Sequence, residues 1–190
     1  MIAHAEPTTS AALESLIRAQ AYGLGFDLVG ITTLGPAENA RHFERWLDDG
    51  RAGEMDYLPR WRDKRADTRL PFPGVSSAIV VGMDYGGRAP SGPVARYARG
   101  DDYHDVMIDR LRALHRWVNE SVGREIHGKA YVDTGPILER DFARRAGLGW
   151  FGKNTMLVNP GRGSFFFLGA LLLGAILFNN FIRQRAEASR

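Results

Sequence analysis

Apolar positions along the chain switch between helical and strand spacing several times, and the switches set out an order of elements. Leu13, Leu16, Ile17 and Ala21 recur at helical spacing behind Thr9 and Ser10, either of which can cap a helix, and Gly23 and Gly25 end it. Phe26 to Thr32 (FDLVGIT) predicts a strand. Pro36 opens a second helix with Phe43, Trp46 and Leu47 on one side, closed near Gly50. Residues 51–74 mix charges with prolines that forbid a long regular element, and form a long connection. Val75 to Tyr85 (VSSAIVVGMDY) is the strongest strand signal, β-branched and apolar at its centre, as expected of a central strand. A turn at GGRAPSGP leads to a long helix marked by Val106, Ile108, Leu111, Leu114, Trp117 and Val118 and stopped by Gly123. EIHGKAYVD predicts another strand, and a helix follows from about Pro136 to Ala146, with Gly147 as its stop. TMLVNPGRGSFFFLG has the form of a hairpin turning at Asn159, Pro160, Gly161 and Gly163. This order predicts an α+β layered sandwich in which helices flank a mixed, largely antiparallel central sheet.

Composition narrows the chemistry. With 190 residues and 44% apolar content the chain can bury a substantial core. It contains no cysteine, so disulfides, thiolate zinc sites and cysteine-ligated iron-sulfur clusters are excluded within it, and redox chemistry needs a bound cofactor. A net charge of +3 and a pI near 9.4, with the arginines scattered, permit a polyanionic partner without demanding one. MIAHAEPTTS lacks the pattern of a secretory signal, so a cytoplasmic location is expected. The uncharged run from Phe165 to Ile182 is short for a membrane span and long for one strand. A core strand running into a buried helix is the expectation, with a membrane helix as the alternative.

Asp133 has two readings. It can cap the helix that follows Pro136, or it can be a reacting acid at a strand end, where layered α/β proteins bind ligands. Donating a proton near neutral pH would require a desolvating ligand beside it, against the pull of a helix N-terminus and Arg140. Gly147, Gly149 and Gly152 in AGLGWFGKN allow close approach of a flat or phosphorylated ligand, though not at P-loop spacing. Lys153 and Asn154 offer a charge and an amide for phosphate or amide groups, while Trp150 and Phe151 suit a core or a platform equally. Asp101, Asp102, His104 and Asp105 read as helix caps rather than metal ligands, and His4, His42, His115 and His127 show no ligand spacing. Arg60, Arg62, Lys64 and Arg65, with Tyr57 and Trp61, suit either a phosphate-bearing partner or a solvated loop.

EMDYLPR, PGVSSAIVVGMDY, YARGDDYH and YVDTGPILERDFARRAGLGWFGKNTMLVNPGRGSFFFLG, in this order, resemble the N-terminal catalytic domain of epoxyqueuosine reductases. The resemblance covers roughly residues 8–169 and leaves 170–190 as a divergent, apolar and then basic tail of the kind a truncation or frameshift produces. It implies a nitroreductase-like, cobalamin-processing-like fold and a cobalamin-dependent reduction of epoxyqueuosine to queuosine in tRNA, with cob(I)alamin as reductant. Asp133 is then the proton donor, and Arg60, Tyr97, Asp133, Lys153, Asn154 and Ser164 fall in the segments that line the cobalamin site. The family's iron-sulfur clusters cannot form on a chain without cysteine, so an electron-donating iron-sulfur protein is an implied partner beside tRNA. The alternatives are an inactive cobalamin-binding module and a flavin-dependent reductase on a related scaffold.

Overall fold

The described residues, 10–87 and 92–174 of a computed structural model, run through α1 (Ser10–Gly23), β1 (Leu28–Thr33), α2 (Ala40–Asp48), α3 (Tyr57–Arg60), α4 (Arg62–Ala66) and β2 (Val75–Asp84). They continue through α5 (Tyr103–Val122), β3 (Gly128–Tyr131), α6 (Glu139–Arg145), β4 (Trp150–Phe151), β5 (Leu157–Val158) and β6 (Phe166–Gly174). β1, β2, β6 and β3, in that spatial order, form a four-stranded sheet in which every neighbouring pair is antiparallel.

Both faces of this sheet are covered, which explains the unbroken apolar character of its central strands. Along β2, Ile79 and Val81 pack with Ile17 of α1 and with Met107, Leu111 and Leu114 of α5. The alternate residues Ala78 and Val80 face Phe142 and Ala143 of α6 and the nearby Leu148. β6 repeats the pattern, with Leu171 and Leu173 on the α5 side and Ala170 and Leu172 on the α6 side. Gly30 permits the second layer to seat, because a Cβ there would lie 2.3 Å from the Ala146 carbonyl oxygen.

The layered α+β expectation holds, and four local expectations do not. The closing hairpin does not pair. Asn159 does close a turn, its Oδ1 accepting from the amides of Gly161 and Arg162, but β5 then pairs with β4 and β6 runs between β2 and β3. A strand apolar on both faces is more stable at the sheet centre than in an exposed ribbon. Pro36 does not open α2. It bridges to Asp67, and the helix starts at Ala40 because the Asp141 carboxylate takes the amides of Glu38 and Asn39, both at 3.0 Å. α6 starts at Glu139 rather than near Pro136, and β3 ends at Tyr131, two residues short of Asp133.

Ala170–Gly174, the first residues of the expected tail, form the second half of β6, and residues 175–190 lie outside the described residues. No helix among the described residues is long and apolar enough to cross a membrane.

Asp102 caps α5 by accepting from the His104 amide at 2.9 Å, and Gly123, at φ 67°, closes that helix. Asp102→Ala is expected to lower stability by about 1 kcal/mol, a fall of roughly 2–4 °C in Tm by calorimetry.

Candidate active site

After β3 the chain passes through buried Val132 and enters Asp133 with φ at 56°. Aspartate is among the few side chains that tolerate this left-handed region, at a cost of about 1 kcal/mol. The turn carries the carboxyl away from α6 and towards the N-terminus of α5. Asp133 therefore does not cap α6, whose N-cap position is Leu138 and has no side-chain cap. Instead Tyr103 Oη donates to Asp133 Oδ2, and His104 Nε2 lies 3.8 Å from the same oxygen. His104 is itself held through Nδ1, 2.8 Å from Asp102 Oδ1.

Tyr103 is fixed by stacking. Its ring lies parallel to Phe167, with centroids 3.8 Å apart, and stacks on His104 at 4.1 Å. Burial, followed by the bond to Asp133, pushes the Tyr103 phenol well above its ordinary range, so it stays a proton-bearing donor. The aromatic array continues from Phe167 to Tyr85 at 4.5 Å, and from Tyr85 to Phe165 and Tyr97 in edge contacts. Phe165 and Tyr97 are both half exposed, at 52% and 55%. A carboxyl whose Oδ2 is occupied thus stands at one end of a partly buried aromatic array whose far rings, Phe165 and Tyr97, are exposed.

A cleft of about 650 Å³ opens beside α6, walled by Phe43, Trp46, Leu58, Ile137 and Phe151. Its polar floor is unusual. Arg65 is 8% exposed and donates from Nη1 to the Ile137 carbonyl at 3.0 Å, while its buried Nε has no hydrogen-bond partner. Glu139 Oε1 is also buried and without a partner, although the residue as a whole is only partly buried. Burial raises the Glu139 carboxyl from 4.5 to about 7; its own amide pulls against this, the Asp133 charge adds to it, and Arg65 and Arg140 oppose it.

The six residues expected at the site fall into two groups. Tyr97 borders the aromatic array, as does half-buried Ser164 through its neighbour Phe165, and Asp133 ends it. Arg60, Lys153 and Asn154 are exposed and sit beside the cleft, next to lining segments that include Leu58, Gly152 and Thr155. The glycine expectation is corrected at Gly149. A Cβ there would meet the Val158 carbonyl oxygen at 2.2 Å, so the packing of β4 on β5 demands the glycine without any ligand. The cations of residues 60–65 do not form one patch, since Arg62 pairs with Asp48 and Arg65 is buried. Tyr103 and Glu139 are the site residues that sequence reasoning passed over, and Arg65 was read only as one of a group of four cations. YARGDDYH drew attention to its acids, which read as ordinary helix caps, and no local signal marked Glu139.

Residues 65–134 match the family described as "Epoxyqueuosine reductase QueG, DUF1730". The chain is 39% identical over 184 residues to the epoxyqueuosine reductase of Xanthomonas campestris, covering 91% of this chain and 51% of that protein. It is 36% identical over 181 residues to the Escherichia coli enzyme, covering 88% and 47%. The chain therefore spans about half the length of the curated relatives it matches. Among solved structures, an epoxyqueuosine reductase with an epoxyqueuosine-modified tRNA-Tyr stem loop superposes with a TM-score of 0.71 at 26% identity, over 87% of this chain and 46% of that one. A Bacillus subtilis epoxyqueuosine reductase, solved with its catalytic aspartate loop swung out of the active site, gives 0.72 at 25% identity, over the same shares. A catabolic reductive dehalogenase shares the fold alone, with a TM-score of 0.54 at 21% identity, over 92% of this chain and 20% of that one. Motif order, family match and fold agree, and this chain is a relative of the epoxyqueuosine reductases, resembling their N-terminal catalytic domain.

Proposed function

We propose that this chain is the catalytic half of a tRNA-modifying reductase that converts epoxyqueuosine to queuosine, with cobalamin bound over the aromatic surface and Asp133 as the proton donor. The observation that carries the reading is the Tyr103–Asp133 pair: a carboxyl excluded from capping, held by a stacked phenol, at the edge of an aromatic array that reaches the surface at Phe165 and Tyr97. A flat, largely apolar macrocycle fits such a surface, and the motif resemblance reaches the residues around it.

Bound there, cobalamin would supply the electrons that open the epoxide. Removing the epoxide oxygen as water consumes two electrons and two protons. Tyr103 occupies Asp133 Oδ2, which leaves Oδ1 to carry the transferable proton. A ligand covering the half-exposed carboxyl would exclude bulk water from the proton transfer. His104, anchored by Asp102, stands close enough to return a proton to Asp133 after transfer, with a small movement of either ring or carboxyl. Tyr97 and Ser164, beside the aromatic array, and Arg60, Lys153 and Asn154, beside the α6 cleft, would hold the cofactor's side groups.

The tRNA substrate is supported by the names of the relatives and by the solved relative with a modified stem loop, and it implies a cytoplasmic location. Electrons must come from outside this cysteine-free sequence, from an iron-sulfur protein or a chemical reductant.

Titration of the purified chain with cobalamin, followed by visible absorbance, tests the cofactor assignment. A saturable change to the spectrum of cobalamin without its axial base is expected. An unchanged spectrum at excess protein overturns it.

A further inference from the structure

Two residues past Asp133, Gly135 is buried against the ring of Tyr131, and the contact leaves no room for a side chain. A Cβ at Gly135 would stand 2.4 Å from Tyr131 Cδ1, 2.8 Å from Cγ and 3.1 Å from Cε1. Gly135 does not adopt a positive φ, so space rather than backbone freedom demands glycine here. The ring cannot easily give way. Tyr131 is 8% exposed, closes β3 opposite Ala170 and packs on Phe72 with centroids 5.1 Å apart. Lys129 Nζ lies over both rings, 5.3 Å from the centroid of Tyr131 and 5.6 Å from that of Phe72. The last side chain of β3 therefore reaches past the turn and meets the backbone on its far side. Between the two residues the Thr134 amide donates to the Val132 carbonyl at 2.6 Å, and Asp133 sits at φ 56°. A residue other than glycine keeps such a conformation only where its surroundings over-determine it.

We propose that Gly135 and Tyr131 are positioning residues for Asp133, a role that rests on the reading of Asp133 as the acid. Tyr131 belongs to the core on the α6 side of the sheet and Tyr103 packs on the α5 side, so the turn is held from one side and its carboxyl from the other. A side chain at position 135 would push the turn off the ring and draw the carboxyl away from Tyr103. A displacement of about 1 Å at a reacting group can cost ~100-fold in rate. The contact acts on the acid through the backbone, so cofactor uptake should not respond to it.

The test introduces Gly135→Ala into the full chain in two backgrounds, wild type and Tyr131→Ala, because the added methyl clashes only while the ring is present. With Tyr131 in place, single-turnover deoxygenation by the chain loaded with chemically reduced cobalamin should fall at least ~10-fold, and cobalamin affinity should change by less than ~2-fold. In the Tyr131→Ala background the same substitution should cost less than ~2-fold in rate. An equal loss in both backgrounds, or no loss in the first, overturns the proposal. A second readout needs neither cofactor nor substrate. In protein isotope-labelled at the tyrosine ζ carbon, the Tyr103 NMR resonance, identified by its disappearance in Tyr103→Phe, reports the hydrogen bond to Asp133. It should move in Gly135→Ala and hold its position when the alanine is added to Tyr131→Ala. A wild-type chain that binds cobalamin and leaves the epoxide intact overturns the acid reading, and the catalytic consequence of this contact with it. An unmoved Tyr103 resonance in folded Gly135→Ala overturns the positioning itself, whatever becomes of the acid. If Gly135→Ala does not fold, the double variant decides: folding with the Tyr103 resonance of Tyr131→Ala supports the contact, and failure to fold where Tyr131→Ala alone folds overturns it.

Discussion

Asp133→Asn is expected to lower reductant-driven conversion of epoxyqueuosine by at least ~100-fold while leaving cobalamin uptake and thermal stability nearly unchanged. Asparagine is the informative replacement because it too tolerates the positive φ at this position and keeps an acceptor for the Tyr103 hydroxyl, so the turn after β3 survives. What it loses is the transferable proton. Tyr103→Phe removes the hydrogen bond that orients the carboxyl, and the loss of roughly one charge-assisted bond predicts about a tenfold fall in the same rate. The two changes should combine less than additively, since an orienting phenol has little left to orient once the acid is gone. Single-turnover measurements with chemically reduced cobalamin separate these effects from electron delivery. Undiminished turnover in Asp133→Asn would reduce Asp133 to a surface carboxyl on a strained turn.

The second expected result concerns stability. Glu139→Gln should stabilise the chain by about 3 kcal/mol at about pH 8 and leave it almost unchanged at about pH 4. The native value of about 7 lies above the ordinary 4.5, so between these values the folded protein keeps a proton that the unfolded chain has released. The native state binds more protons in that window. Wild-type stability therefore falls as pH rises from about 4.5 to about 7, and the loss is complete above that. Glutamine has no charge to bury at any pH. For a chain of this length the gain corresponds to roughly 6–12 °C in Tm, read by calorimetry across the pH series. A wild-type Tm that stays flat through this window, or a variant that follows the wild type at every pH, would show that Glu139 does not carry this penalty. An acid that destabilises its own fold in this way is characteristic of a residue retained for binding or chemistry.

Much of the architecture was legible because periodicity is a local signal. The spacing of Leu111, Leu114 and Val118, the β-branched centre of β2 and the stop at Gly123 each follow from neighbours in sequence. The features that were not legible depend on distant partners. The start of α2 is fixed by Asp141, 102 positions beyond Asn39. The apolar run after Ser164 looked like the second arm of a hairpin, yet its two apolar faces suit the sheet centre, a competition that no local window contains. Asp133 was ambiguous for the same reason. Local sequence placed a helix start nearby, and only the fold brings Tyr103, 30 positions earlier, to its carboxyl. Motif order resolved the ambiguity in favour of an acid, and the geometry gives a physical reason why it is not a cap. Nothing in the sequence distinguished Glu139 from an ordinary helix charge, and Arg65 stood out only as one of four neighbouring cations, because the interest of both lies in the hydrogen bonds they lack.

The central claim is that one face of this chain both holds cobalamin and protonates an epoxide oxygen. It is tested most directly by mixing the chain, loaded with chemically reduced cobalamin, with an epoxyqueuosine-modified tRNA-Tyr stem loop and following the modified nucleoside by mass spectrometry in one turnover. The expected result is loss of one oxygen atom from the nucleoside with the wild-type chain and none with Asp133→Asn. Cobalamin bound and reduced, with the epoxide left intact by the wild type, would contradict the account.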